Sequence, residues 1–226
     1  IRAVPRILAD DILVFAQGEG HEKNFKDAFD ITHSFMKDIG AELAPAKSTT
    51  FSTNRKTRQR LREHNWERIG QKIKVVVHAR DLGSHLTTAA TMCAPTLTNR
   101  MTEAAQLINR IARTNLSPTM RAHVIRMAGI AKGLYGVECS AENGQALQKL
   151  RVAIANAIAP KSSLRSLDLT FATANLGRDL DPIIILMVRR TTMLRRMLAK
   201  HEHLRTMVQQ TWELYRVNGP QGIFCE

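Results

Sequence analysis

The chain opens on two short apolar runs, Arg6-Ile7-Leu8-Ala9 and Ile12-Leu13-Val14-Phe15-Ala16, which flank Asp10 and Asp11 and are followed by the breaker Gly18-Glu19-Gly20. Short, partly β-branched runs bounded by such a breaker predict a buried hairpin with both acids at its turn. Next, Phe25, Ala28, Phe29, Thr32, Phe35, Met36 and Ile39 recur at three- and four-residue spacing up to Gly40. This is the stripe of an amphipathic helix that covers a sheet. Residues 47–53, rich in Ser and Thr, and residues 73–79 predict short strands, and Leu82-Gly83-Ser84 predicts a tight turn after the second. Helix through this turn is disfavoured, because Val75-Val76-Val77 prefers extended chain and Gly83 weakens a helix by about 1 kcal/mol relative to Ala.

Beyond Thr91 the periodicity becomes helical. Leu97, Met101, Ala104, Ala105, Ile108, Ile111 and Ala112 form one stripe. Ser117 caps a second helix with Pro118 at its first position, running to about Lys132 and stopped by Gly133-Leu134-Tyr135-Gly136. Residues 146–159 form a third, stopped by Pro160, and residues 183–215, opening after Asp181-Pro182, form one long helix or two. The predicted class is α+β, with strands and a covering helix first and an all-α region after.

Of the 226 residues, 44% are hydrophobic, enough for a buried core in one domain or two small ones. No apolar run approaches the roughly 18 residues of a membrane span, and the start lacks a signal-peptide layout. The expectation is a soluble intracellular protein, nuclear or cytoplasmic, with no membrane partner. Cys93, Cys139 and Cys225 are odd in number and lack metal-knuckle spacing, so they read as plain thiols. A strand-like segment begins almost at Ile1, as expected of a piece of a longer protein.

The net charge of +13 favours a polyanionic partner. It is unevenly spread: residues 1–54 carry 6 basic and 8 acidic side chains, whereas residues 55–80 carry 9 basic and 2 acidic. More than half of the net charge therefore lies in Arg55, Lys56, Arg58, Arg60, Arg62, Arg68, Lys72, Lys74 and Arg80, a set suited to contacts with a phosphate backbone. The alternative is a solvated face. Arg189, Arg190, Arg195, Arg196, Lys200 and Arg205 make a second basic cluster on helical-looking sequence. Trp66 reads as core. His201 and His203, two apart on a helix, do not share a face and are assigned no site.

Adjacent carboxylates on a rigid hairpin suit Mg²⁺, which takes hard oxygen ligands and usually one or two protein carboxylates. In phosphoryl transfer, two such ions about 3.5–4 Å apart stabilise the attacking and leaving oxygens. By itself such a dipeptide is far more often a plain polar turn than a metal site. The order of the features behind it, however, resembles the reverse transcriptases of non-LTR (LINE-type) retrotransposons. The matching pieces are Leu8-Ala9-Asp10-Asp11, the helix to Ile39, Gly40 with Lys47, Arg80-Asp81-Leu82-Gly83-Ser84-His85, and Leu134-Tyr135-Gly136-Val137-Glu138. Together they span about residues 4–140.

The resemblance implies the C-terminal part of a right-hand polymerase palm over residues 1–90, a helical thumb over 91–140 and a helical extension over 141–226. It implies an RNA-directed DNA polymerase that extends a primer 3′ hydroxyl with deoxynucleotides. Asp10 and Asp11 would be metal ligands for two Mg²⁺ ions, and Lys47 would lie near the incoming nucleotide, able to protonate the pyrophosphate leaving group. Leu82, Gly83 and Ser84 would grip the primer end. The partners implied are an RNA template, a DNA primer, deoxynucleoside triphosphates, and the upstream palm and fingers of the same protein, which carry the family's other metal-binding Asp. The chain departs from the family at Leu8, where an aromatic is usual, and at Ala44, where Asn is frequent. Those departures keep two alternatives open: a non-catalytic basic helical nucleic-acid-binding module, and a decayed retroelement remnant.

Overall fold

The computed structural model describes residues 3–8, 11–42, 44–81, 84–88, 94–162 and 164–218. It is a mixed α+β fold in which helix predominates. Two compact units divide the chain: Ile1–Ala79 with Thr87–Ala90, and Arg80–Leu86 with Thr91–Glu226.

In the first unit, β1 (Ala3–Leu8) and β2 (Asp11–Ala16) pair antiparallel from Ala3↔Ala16 to Leu8↔Asp11. The chain then turns through Gly18 and Gly20, whose φ values of 80° and 70° belong to the left-handed region that glycine enters without strain. Helix α1 (His21–Asp38) comes next and packs on both strands, as its apolar stripe predicts. It also reaches past them: Phe29 lies with its ring 4.3 Å from that of Trp66, and Phe25 meets the same indole edge-on at 5.9 Å. Trp66, Leu61 and Ile73 form the buried centre of this unit.

The basic stretch supplies an element that the apolar pattern did not announce, helix α2 (Arg55–Glu63). Its start is set by Asn54, whose Oδ1 accepts from the Lys56 and Thr57 amides at 2.8 and 3.2 Å. Strand β3 (Thr49–Thr50) pairs parallel with β4 (Lys74–Val75), so the strand expected over 47–53 is only two residues long. The strand expected over 73–79 is broken, because its partner changes. Val76 N–H donates to Thr50 O (2.8 Å), whereas Val77 O accepts from Thr88 N–H (2.9 Å). Strands β5 (His78–Asp81) and β6 (Ser84–Thr87) then pair with each other.

The second unit is helical: α3 (Pro95–Ile111), α4 (Pro118–Val124), a π-helical segment (Ile125–Ile130), α5 (Ala131–Gly133), α6 (Gly144–Ile158), α7 (Leu167–Thr173), α8 (Gly177–Leu180), α9 (Pro182–Lys200) and α10 (His203–Asn218). Ser117 caps α4 as expected, accepting from the Met120 amide at 3.3 Å. The last region is two helices, broken at His201, whose backbone is extended. One core runs from Ala94 to Leu186 and includes Met101, Ile108, Ile125, Leu134, Leu150, Ile154 and Leu180. Helix α3 lies at its centre, against α6 and the π-helical turn.

Two glycines permit that approach. A Cβ on Gly129 would stand 2.9 Å from Ile108 side-chain carbons, and one on Gly133 would stand 2.9 Å from the Ala104 Cβ. Across the bundle Arg151 of α6 donates Nε to Asp181 Oδ1 (3.1 Å) and Nη2 to Oδ2 (2.8 Å), with Asp168 as a third partner. Asp181 also caps α9 through the Ile183 amide at 3.0 Å.

The packing predicts a contrast between two glycines. Gly133→Ala should destabilise the protein by about 1–3 kcal/mol, because the added methyl meets a short side chain that cannot move aside. Gly144→Ala, at the open start of α6, should be neutral or slightly stabilising. Urea unfolding of both variants measures the difference, and equal midpoints would contradict the packing argument.

Candidate functional site

The hairpin β1–β2 places Asp11 at its turn end, exposed, as the first residue of β2 opposite Leu8. Asp10 lies outside the described residues. Lys47 sits exposed in the turn before β3, its amide donating to Ala44 O at 3.0 Å, and among the described residues no ion pair joins it to Asp11. No group of three or more His, Cys, Asp or Glu able to hold a metal occurs among the described residues. Asp11 alone is one carboxylate, too few for two adjacent divalent ions that repel each other. The described side chains therefore do not make a two-ion cage, and no chemical step is assigned to them by themselves.

The nine cations of residues 55–80 separate into two groups. Three have internal work. Arg58 donates Nη1 to Ser52 O (2.6 Å) and Thr53 O (3.0 Å), closing the loop before its own helix. Arg60 pairs with Glu22 of α1 at 2.8 Å, and Arg68 donates to Ser34 Oγ of α1 at 2.5 Å, with Asp30 3.7 Å away. Arg55, Lys56, Arg62, Lys72 and Lys74 of the same unit are exposed and have no ion pair among the described residues. Helix α2 buries Thr57 and Leu61, so Arg55 and Arg62, seven residues apart, share a face turned away from the core, while Lys56 lies about 100° round the helix from Arg55. Arg80, exposed on β5, belongs to the second unit.

Of the Leu82-Gly83-Ser84 turn, Leu82 and Gly83 lie outside the described residues, while Ser84 opens β6. In the second unit Ser84 comes against a segment some fifty residues later in sequence. A Cβ on Gly136 would stand 3.3 Å from Ser84 Oγ, and Ser140 Oγ donates to His85 O at 3.4 Å. Two of the motifs singled out by sequence order are thus neighbours in space.

Arginines hold the later segment in shape. Arg100 of α3 donates to Tyr135 O (3.1 Å) with its guanidinium 5.0 Å from that ring. From α9, Arg189 donates to Leu134 O (2.9 Å), and Arg190 donates to Val137 O (3.1 Å), Ser140 O (2.7 Å) and Glu142 Oε2 (2.5 Å). Leu134 and Val137 are fully buried and Gly136 has a φ of 79°. Arg189 and Arg190, which the sequence groups with a basic cluster, therefore serve architecture. The signal was available: they fall one turn after Leu186, the last buried position of α9.

Comparison of the chain with protein-family models, with curated proteins and with solved structures finds no match.

Arg190 carries a testable consequence. Replacing it with Met should cost about 2 kcal/mol, since two charge-assisted bonds to backbone carbonyls are lost at a site one-third exposed. Burial pushes the Glu142 carboxyl up, but the Arg190 hydrogen bond and charge and a backbone amide outweigh it, so the group sits below its ordinary 4.5. Because the folded value is depressed, the stability it contributes is present above about 4.5 and fades as pH falls through the folded value. Hydrogen exchange should show amides of residues 134–142 opening first on acidification below that point, and in the Met variant at neutral pH. Uniform loss of protection across the unit would refute the clamp.

Proposed function

We propose that the chain is the C-terminal polymerase segment of a LINE-type reverse transcriptase, whose complete protein extends a primer 3′ hydroxyl on an RNA template with deoxynucleotides. The observation that carries this reading is the order of elements. A hairpin with an aspartate at its turn is followed by a covering helix, a turn bearing Lys47, a second hairpin at 78–87, and then a helical unit. It supports the resemblance drawn from Leu8-Ala9-Asp10-Asp11 and the later motifs. The two Mg²⁺ ions of the reaction would take Asp10 and Asp11 together with carboxylates outside this chain, and supply the charge neutralisation that a phosphoryl transfer requires.

The second reading, a non-catalytic basic nucleic-acid-binding module, is favoured by one specific observation: five exposed cations of the first unit have no ion pair among the described residues. Both readings share a binding surface on α2 and the β4 region. Contacts there would be to phosphates, so they would position the strand without reading its sequence.

Binding of the chain to duplex or hybrid should fall with salt at a log–log slope of roughly −5 if about six phosphates are neutralised. Replacing Arg55, Lys56 and Arg62 with Ala should reduce that slope by about 2–3 for every sequence tested, with the thermal midpoint unchanged. Arg58→Ala should instead lower the midpoint, because it opens the loop at Ser52. Salt-independent binding would remove the phosphate-contact mechanism.

The two readings part at catalysis. Residues 1–226 alone should add no nucleotides to a primed RNA template, whereas the chain extended upstream through the rest of its palm should do so. In that longer protein Asp10→Asn should abolish extension and leave template affinity within about twofold, since the substitution leaves every cation of the basic surface in place and changes only metal neutralisation. Primer extension and a binding titration on the same preparation decide it. Undiminished extension by the variant removes the metal-ligand role of Asp10, and no extension by the longer protein itself eliminates the polymerase reading and leaves the binding module.

A further inference from the structure

The far end of the second unit carries a surface that neither the aspartate hairpin nor helix α2 explains. Trp212 and Tyr215 of α10 are 65% and 42% exposed, and their rings stack on one another, with centroids 5.9 Å apart and planes 25° from parallel. An exposed tryptophan in a chain that has only two is costly to leave in water, and the other, Trp66, is 2% exposed. On the helix, Arg205, Trp212 and Arg216 fall at offsets of seven and four residues, hence on one face, with Tyr215 beside them. At about 1.5 Å of rise per residue, the two arginines stand roughly 10 Å before and 6 Å beyond the indole along the helix axis.

The charge around this face is predominantly basic. Residues 191–218 hold five basic side chains, Arg195, Arg196, Lys200, Arg205 and Arg216, against Glu202 and Glu213. None of the five has an acidic partner among the described residues. Arg205 also donates Nε to Leu198 O at 3.2 Å, which fastens α10 to the end of α9 and gives the face a fixed base. Flat aromatic surface between cations spaced along an exposed helix matches the chemistry of an unpaired polynucleotide. Its bases present π faces for stacking, and its phosphates repeat along the strand.

We propose that the Trp212–Tyr215 face of α10 is a stacking platform for single-stranded nucleic acid, with Arg205 and Arg216 contacting phosphates on either side. The complementary charge selects this occupant over an apolar protein groove. The site is distinct from the α2 surface and does not depend on the catalytic reading, since it requires neither Asp10 nor Asp11.

The two tryptophans make a direct test possible in the intact chain. Titration with a mixed-sequence 12-nucleotide RNA should quench the Trp212 emission and shield it from acrylamide, while buried Trp66 supplies a constant background. Inorganic polyphosphate of the same charge should bind without quenching. Trp212→Ala with Tyr215→Ala should weaken RNA binding about tenfold or more, whereas Trp212→Phe should keep most of the affinity. Circular dichroism checks that α10 persists in each variant. The double Arg55→Ala, Arg62→Ala variant should still give the quench, which separates failure here from failure of the α2 surface. Equal quenching by polyphosphate, or full affinity in the double aromatic variant, would overturn the proposal. So would acrylamide shielding that rises with protein concentration without RNA, because a second copy would then be the occupant.

Discussion

Arg151 and Asp181 meet inside the helical unit with side chains 11% and 5% exposed, and the geometry of their contact sets the course of the chain beyond them. Burying two charges costs several kcal/mol each, and only good geometry with further hydrogen bonds repays it. Here the guanidinium engages both carboxylate oxygens, Asp168 adds a third contact from the solvent side, and the Phe171 ring lies 5.3 Å from the guanidinium carbon. Asp181 hydrogen bonds raise the Arg151 pKa above its ordinary value against the opposing effect of burial, so the guanidinium stays charged. The same carboxylate accepts the Ile183 amide and so starts α9. A single buried aspartate therefore anchors the origin and direction of a nineteen-residue helix.

What α9 does depends on that anchor. With its first turn fixed, Arg189 and Arg190 are delivered to the carbonyls of Leu134, Val137 and Ser140. These carbonyls belong to an irregular segment between α5 and α6, where the regular helical ladder is interrupted. Arginine suits the task because its planar fork can serve several acceptors at once. The glycine at 136 gives the segment its left-handed turn and the room beside Ser84. The Leu-Tyr-Gly-x-Glu pattern thus has a sufficient structural cause within this unit, whatever its family history: Leu134 and Val137 fill the core, Gly136 turns, and Glu138 and Glu142 face the two arginines.

Periodic elements were legible in the residues, and irregular or polar ones were not. The stripe from Phe25 to Ile39, the Ser117-Pro118 cap and the apolar positions of α3 match the observed helices, because burial and capping leave a direct mark on sequence. Helix α2 leaves no such mark. Its nine residues include five cations and only one apolar side chain, Leu61, so the amphipathic signal is too thin to stand out against the charge. The π-helical turn at Ile125–Ile130 was hidden for another reason: Gly129 and Gly133 show their purpose only once Ala104 and Ile108 are seen opposite them. For the candidate sites, chain order marked the aspartate turn, but residue type alone could not divide structural arginines from available ones.

That division changes what the charge means. A net +13 read from composition treats every cation as equivalent. In the fold, Arg58, Arg60 and Arg68 bind the first unit together, and Arg151, Arg189 and Arg190 do the same in the second. Each of these already holds a native partner that fixes two parts of the chain together, so drawing it away to a phosphate would disturb that contact. Cations left over include Arg55, Lys56 and Arg62 on α2 and Arg195 to Arg216 along α9 and α10. Long-range attraction depends on the total charge, but short-range affinity depends on the groups free to shed water and meet an anion. A helix that spends few residues on its own core and leaves several exposed cations without an acidic partner has the form expected of a phosphate-binding surface, and α2 has that form.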